Sequence, residues 1–231
     1  MTDDPSEQAR LEEQRDDLQL LNQVMRHDIR NDLQLIGAYA ELLEEHVDDE
    51  GEGYLDVIKE SAKSATNLTT TARDLAQVML ESGTETRSVP IDRVLEQQIE
   101  ETRSGYPSAV ITVEESIARA EVVGNDMLGS VFGNLLSNAV QHNDKELPEV
   151  VVSASRNDDV VEVRIADNGP GIPDNQKEEI FGKGEKDLES SGAGIGLYLV
   201  KSLAETYNGD AWVEDNEPEG SVFVVEIPIA E

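Results

Sequence analysis

Residues 134–142 read Asn-Leu-Leu-Ser-Asn-Ala-Val-Gln-His, with amide and apolar side chains at helical spacing. The polar side chains recur at steps of four, three and one residues and so share one face of the predicted helix: Asn134, Asn138, Gln141 and His142. Asparagine is not favoured inside a helix by propensity. This face is therefore either a solvated surface or a site where an amide oxygen binds Mg²⁺, a cation that keeps most of its waters and bridges substrate phosphates.

Two glycine-containing segments follow. Residues 167–173 read Asp-Asn-Gly-Pro-Gly-Ile-Pro directly after a predicted strand, a composition that also suits a simple turn. As part of a site, Asp167 would accept a hydrogen bond from an adenine amino group, and the glycines would let the backbone approach the base.

Residues 192–197 read Gly-Ala-Gly-Ile-Gly-Leu and open a predicted helix, whose first N–H groups suit a phosphate. The spacing does not fit the dinucleotide fingerprint, and the chain has no Gly-Lys-Ser/Thr phosphate loop.

Short strands and helices are predicted around these segments. The helices are predicted near 91–102, from 125 or 126 to about 142, and over 195–207, and the strands near 109–113, 121–123, 150–155, 160–166, 210–214 and 221–227. Mixed helices and adjacent strand pairs predict an α/β sandwich with a mostly antiparallel sheet. The polar stretch 82–90 breaks the preceding helical pattern, so we place a domain boundary there. The predicted domains are residues 1–84 and 85–231.

The N-terminal domain has the pattern of two amphipathic helices. Apolar residues recur every three or four positions over 18–47 and again over 55–79, and the acidic stretch 48–53, with two glycines, separates them. The short connection predicts an antiparallel hairpin, so the fold class is α+β, a helical hairpin followed by an α/β sandwich. One hairpin cannot bury both apolar stripes, which predicts a homodimer in which two hairpins form a four-helix bundle.

His27 is the candidate nucleophile. It lies two residues from both Met25 and Ile29 and therefore about 200° around the helix from the apolar stripe, which predicts a solvent-facing ring. Asp28 is adjacent, and Asn31 follows one turn later on the same face. A carboxylate beside an imidazole can fix its tautomer and accept its proton, making the other ring nitrogen a better nucleophile. The alternative is an ordinary surface histidine.

Composition excludes several functions. The 231 residues include no Cys, which excludes disulfides, thiolate catalysis and Cys-ligated zinc, and the three His show no metal-ligand spacing. Acidic residues number 50 against 18 basic ones, for a net charge of -32, so no basic stripe suits a nucleic acid. The lack of a long apolar run predicts no membrane segment and a cytoplasmic chain. Because the acidic excess runs through the whole chain, it favours adaptation to a salty cytoplasm over ordinary solubility.

Together, these segments resemble a sensor histidine kinase, in which a dimerisation and phosphoacceptor hairpin precedes an ATPase domain of the gyrase–Hsp90–kinase–MutL type. The resemblance covers nearly everything after about residue 20. Its elements are an H box at 27–31, an N box at 134–142, a G1 box at 167–171, an F box beginning at Phe181, a lid over 182–193 and a G2 box at 192–197.

The resemblance implies an activity and a set of site residues. ATP would phosphorylate His27, making the chain a phosphoprotein, and the phosphoryl group would pass to an Asp of a response regulator receiver domain. Asp28, Asn31 and Asn134 would be catalytic residues, with Asn31 orienting a water in the reverse, phosphatase direction. Mg²⁺ would bind Asn138, adenine would bind Asp167, and further nucleotide contacts would come from Gln141, His142, Gly169, Gly171, Lys186 (toward the γ-phosphate), Gly192, Gly194, Gly196 and Leu197.

The sequence also departs from the usual family pattern. Gln141-His142 replaces Lys-Tyr, Gly184 replaces the second aromatic residue of the F box, lysines 183 and 186 stand at its basic positions, and Asn31-Asp32 replaces Thr-Pro. Because lysine is a point charge rather than a bidentate fork, phosphate binding would be looser. A non-catalytic dimeric ATP-sensing module is one alternative; the altered lid favours it and the His27–Asp28 pair does not. An ATPase without a phosphoacceptor is another, which the helical hairpin disfavours.

Overall fold

A computed structural model describes residues 29, 31–80, 85–114, 117–182 and 193–230. Contacts between residues divide the chain into two compact units, Met1–Arg73 and Asp74–Glu231. The domain boundary after residue 84 remains a prediction. Within the described ranges, no helix is both long and apolar enough to cross a membrane.

The described residues of the first unit form two helices. Residues 31–43 form α1, a 3-10 turn follows at Glu44–His46, and α2 covers Asp49–Leu80, continuing into the second unit. The prediction that the acidic stretch 48–53 separates the helices is wrong, because α2 begins at Asp49 and includes both glycines of that stretch. The physical reason is the cap: Asp48 Oδ1 accepts the Gly51 N–H at 3.0 Å, and its carbonyl accepts the Glu52 N–H at 2.9 Å, which offsets the helix cost of glycine.

The described residues of the second unit form two sheets and three further helices. A two-stranded antiparallel sheet pairs β1 (Arg87–Pro90) with β3 (Glu121–Gly124). A five-stranded sheet has the order β2-β4-β5-β7-β6 and is antiparallel except for the β2–β4 pair. Its strands are β2 (Val110–Val113), β4 (Glu149–Asn157), β5 (Val160–Asp167), β6 (Asp210–Asp215) and β7 (Ser221–Pro228). The helices are α3 (Ile91–Gly105), α4 (Leu128–Gln141) and α5 (Ala193–Thr206), with a 3-10 turn at Glu179–Phe181.

The helices pack on the sheet through one aliphatic core. Alternate residues of β5 are buried, as a half-covered strand requires, and α4 buries the face opposite its amide side chains at Leu128, Val131, Leu135 and Ala139. The mostly antiparallel α/β sandwich is thus confirmed.

The segment 82–90, where the sequence predicts a domain boundary, ends in a strand. Residues 87–90 form β1, with Arg87 opposite Gly124 and Pro90 opposite Glu121. Buried Val89 gives this polar segment an apolar anchor, and a proline is tolerated at the end of a strand on a sheet edge. Pro90 then precedes α3, whose first N–H, from Ile91, donates to the Ala120 carbonyl at 3.1 Å.

Candidate active site

Helix α4 holds its first amide side chain in a fixed orientation. Asn134 Nδ2 donates to the backbone carbonyl of Ser130, one turn earlier, at 2.7 Å. The helix begins where Asn125 Oδ1 accepts the Met127 N–H at 2.8 Å. With Nδ2 directed back along the helix, Asn134 presents its oxygen on the other side.

Asn138, one turn further on, has a buried amide that could bind a ligand. Its Nδ2 is buried and, among the residues that the structure describes, is the one buried side-chain nitrogen or oxygen without a hydrogen-bond partner. Buried polar groups are almost always paired, so this amide is suited to a group from outside the chain. An amide turned about its Cβ–Cγ bond would place an oxygen there, the kind of ligand that Mg²⁺ takes.

The first turns of α5 lie against the same face of α4. A Cβ built on Gly196 would come within 2.7 Å of Asn134 Oδ1, so a larger residue there would displace the Asn134 amide. Gly194 is also helical, and Leu197 is buried in the hydrophobic core. The amide face of α4 and the glycine-rich start of α5, separate in sequence, are thus brought together.

Asp167 ends β5 in a buried position, with 7 % of its surface exposed. Its Oδ1 accepts the N–H groups of Gly169 at 2.8 Å and Ser221 at 3.3 Å. Burial raises the pKa of this carboxyl above its ordinary value, and the two N–H groups partly counteract that effect. Gly171 has φ +74°, a left-handed conformation that suits glycine. In the part of the chain that the structure describes, both bonds to the carboxylate reach Oδ1, so Oδ2 is the oxygen available to a ligand.

Sequence reasoning missed a pair of asparagines that join α4 to this turn. Asn143 Nδ2 donates to Asn168 Oδ1 at 2.7 Å, and the same oxygen accepts the Glu149 N–H at 2.9 Å. Asn168 Nδ2 donates in turn to the Leu147 carbonyl at 3.3 Å. Each asparagine was visible in the sequence, but no local pattern indicated that residues 25 positions apart are paired.

At the end of α4, polar side chains are hydrogen-bonded to other residues of the protein. Gln141 Nε2 donates to the Tyr106 hydroxyl at 2.6 Å, and that hydroxyl lies 3.0 Å from Ser137 Oγ. Desolvation lowers the pKa of His142, which favours its neutral ring. Neither residue therefore supplies the positive charge that lysine usually supplies in this part of the N box. Tyr106 was not among the residues singled out from the sequence.

Four predicted site residues cannot be placed. His27, Asp28, Lys186 and Gly192 lie outside the described residues. Asn31 is exposed on α1, in the first unit. The structure therefore brings together Asn134 and Gly196, and separately Asp167 and Gly169, all in the second unit.

Two protein families match the chain. Residues 17–80 match the His Kinase A (phospho-acceptor) domain, and residues 124–231 match the histidine kinase-, DNA gyrase B- and HSP90-like ATPase. The adaptive-response sensory kinase SasA of Thermosynechococcus vestitus is 28% identical over 96% of this chain and 63% of its own length. Cyanobacterial phytochrome A of Nostoc sp. is 25% identical over 95% of this chain.

Solved structures give the same result. Full-length ShkA, solved in complex with AMPPNP, aligns with a TM-score of 0.62 and 25% identity over 91% of this chain and 46% of its own. The mycobacterial sensor histidine kinase MprB aligns with a TM-score of 0.56 and 24% identity over 63% of this chain and 98% of its own, a likeness of fold. This chain spans 28–30% of the length of the first curated relatives that it matches.

Proposed function

We propose that this chain, a histidine kinase core composed of a phospho-acceptor domain and a histidine kinase-like ATPase domain, transfers the γ-phosphoryl group of ATP to His27. The observation that carries the proposal is the buried, unpartnered amide of Asn138 on a helix whose preceding turn faces the glycine-rich start of α5. That arrangement leaves a polar group of the protein to be satisfied by a nucleotide and its metal.

The residues of the second unit would bind and orient the nucleotide. Asp167 would accept the adenine amino group through Oδ2, and the N-terminal N–H groups of α5 would face the phosphates. Asn138 would ligate Mg²⁺, which neutralises phosphate charge when bound. Gln141, His142, Gly171 and Lys186 would complete the contacts, as the family resemblance implies.

The reaction itself would take place on the first unit. A lone pair on a neutral imidazole nitrogen of His27 forms a bond to the γ-phosphorus while the bond to the bridging oxygen of ADP breaks. Asp28 orients the ring and accepts the proton from its other nitrogen, so the phosphorylated ring is neutral. Catalysis of this kind depends mainly on positioning and on neutralising charge.

A response regulator receiver domain is the proposed acceptor in the next step, in which the phosphoryl group moves from His27 to an aspartate. This step, and a phosphatase role for Asn31, rest on family resemblance. Both would take place in the cytoplasm, where ATP is available. Cell fractionation that found this chain outside the cytoplasm would contradict that location.

The activity is tested by incubating the full 231-residue chain with γ-labelled ATP and Mg²⁺ in concentrated KCl. We expect label on the protein that is lost in acid and kept in base, and no label when EDTA replaces Mg²⁺. Nucleotide binding without label would instead support a non-catalytic ATP-sensing module. Phosphate release without label would support an ATPase that lacks a phosphoacceptor.

We further propose that the chain is a homodimer formed by two hairpins. Helix α1 exposes a broad apolar face in which Leu35, Tyr39 and Leu42 are 56%, 65% and 67% exposed. The groove between α1 and α2, about 520 Å³, is lined mainly by apolar side chains of both helices. Apolar patches of this kind usually mark an interface, and a second hairpin would cover this one.

Charge on that face should dissociate the dimer. In the Tyr39→Glu/Leu42→Glu double variant, burying two carboxylates would cost several kcal/mol, so we expect a 25.3 kDa monomer where the wild type has twice that mass. Light scattering after size-exclusion chromatography measures the change. Gln34→Glu, which adds charge at an exposed position of the same helix outside the groove lining, should leave the dimer intact. A double variant that stayed dimeric would exclude this face as the interface.

We also propose that the acidic composition is an adaptation to concentrated salt. With a net charge of -32, the acidic side chains repel one another. Salt screens this repulsion, because the Debye length falls from about 10 Å at 0.1 M salt to about 3 Å at 1 M. We expect the thermal unfolding midpoint to rise by about 10 °C between 0.1 M and 2 M KCl through this screening. Sucrose of the same osmolality should produce a clearly smaller rise. A midpoint independent of KCl would contradict the proposal.

A further inference from the structure

We propose that Asp74 is a positioning residue of the nucleotide site, acting through Ser130 on Asn134; this inference rests on the proposed function. Asp74 is the first residue of the second unit and lies on α2. Only 2% of its surface is exposed. Its Oδ2 accepts a hydrogen bond from Ser130 Oγ at 2.5 Å.

Ser130 connects this carboxylate to the amide face of α4. The Ser130 side chain is held by Asp74, while its backbone carbonyl accepts Asn134 Nδ2 at 2.7 Å. That second bond determines which end of the Asn134 amide points toward α5. The Asn134 oxygen lies where a Cβ on Gly196 would be 2.7 Å away, so a small shift of Ser130 would move the oxygen relative to the glycine-rich turn.

The backbone on both sides of the Asp74–Ser130 bond is fixed. Leu75 and Val78, which follow Asp74 on α2, pack against the core of the second unit. Just before α4, Asn125 Oδ1 accepts both the Met127 N–H at 2.8 Å and the Tyr207 hydroxyl at 2.7 Å. Asp74 therefore contacts a helical turn whose surroundings are already held in place. Its hydrogen bond can adjust the position of Ser130 because the backbone on both sides does not move with it.

The charges around Asp74 argue against a role in packing alone. Burial, together with the nearby carboxylates of Asp74 and Asp126, raises the pKa of Tyr207, so two acidic groups share this region. Arg87 pairs with Asp126 at the surface. Ser130 is the third residue of α4, where the positive end of the helix dipole favours a carboxylate. Burying a carboxylate is costly, and an apolar residue would fill the space at lower cost.

The test compares the affinity of a ligand that brings a γ-phosphate group and Mg²⁺ to the phosphate end of the site with the affinity of a ligand that brings neither. Isothermal titration of the full chain measures the Kd of AMPPNP with Mg²⁺ and of ADP in EDTA. In Asp74→Ala and in Ser130→Ala we expect the affinity for Mg²⁺-AMPPNP to fall about tenfold and that for ADP in EDTA to change less than about twofold, because Asn134 lies at the phosphate end. Asp74→Asn, which keeps an acceptor oxygen for Ser130, should largely restore the affinity for Mg²⁺-AMPPNP.

The two single variants should not be additive, because each breaks the same bond. Glu96→Ala, which removes an exposed carboxylate on α3, is the matched control and should bind both ligands as the wild type does. A lower unfolding midpoint in Asp74→Ala with the wild-type ratio of the two affinities would mean that Asp74 only packs the fold, and would overturn the inference. A wild type that binds no nucleotide would instead refute the proposed function.

Discussion

Replacing His27 with alanine is expected to abolish the acid-labile label from γ-labelled ATP, to below about 1% of the wild-type level. The acid-labile P–N bond requires a nucleophilic nitrogen, and the neighbours of His27 offer none. Asp28 and Asn31 carry only oxygen or amide groups, and the guanidinium groups of Arg26 and Arg30 stay protonated. Nucleotide affinity should be unchanged, because the proposed binding residues lie in the second unit. Filter-bound label after alkaline washing measures the first quantity, and calorimetry measures the second.

His46 provides the matched control for this experiment. It belongs to the same unit and is exposed, with its Nδ1 3.1 Å from the Leu42 carbonyl oxygen. His46→Ala should therefore keep full labelling. Label that persisted on His27→Ala and disappeared from His46→Ala would show that the wrong histidine has been assigned.

Replacing Asp167 with asparagine is expected to weaken ATP binding about tenfold to hundredfold, because a hydrogen bond to a charged group contributes about 1.5–3 kcal/mol. The change keeps the shape of the side chain and an oxygen for the N–H groups of Gly169 and Ser221. It replaces the other oxygen with an NH₂ group, so that two hydrogen-bond donors, this group and the adenine amino group, would face each other. Inosine triphosphate carries an acceptor at that position, so the variant should lose much of the wild-type preference for ATP over inosine triphosphate.

The control for that substitution is Asp158→Asn. Asp158 stands in the β4–β5 turn with φ 47°, a conformation that asparagine also adopts readily, so its affinity for both nucleotides should match the wild type. An Asp167→Asn variant with wild-type ATP affinity would show that adenine is recognised elsewhere.

The regular elements of the second unit were predictable because their patterns are local. Residues 128–141 repeat their apolar positions with the period of a helix, and β5 alternates buried and half-buried residues. The amide face of α4 followed from the same period. The pairing of β1 with β3 did not, because a four-residue strand with one buried valine carries almost no periodic signal.

The contacts that orient the candidate site were not predictable from one sequence. Asp74 and Ser130 are 56 positions apart, and Gln141 and Tyr106 are 35 apart. Each is a polar residue whose local surroundings would suit solvent equally well. Only the packing of α2, α4 and the loop after α3 shows which partner each one has. The resemblance predicts which residues face a ligand, whereas the residues behind them are revealed only by the folded structure.

The closure of the Asp167 turn by β7 has a consequence for synthesis of the chain on the ribosome. Asp167 receives the Ser221 N–H and, at its carbonyl, Asn216 Nδ2 at 2.8 Å. Ser221 follows it by 54 positions, several seconds at about 5–20 residues per second. A nascent chain that has completed β5 and Gly169 thus has the carboxylate for the base and one N–H that holds it, but neither Asn216 nor Ser221. Nucleotide would therefore stabilise the finished domain without assisting its earlier folding.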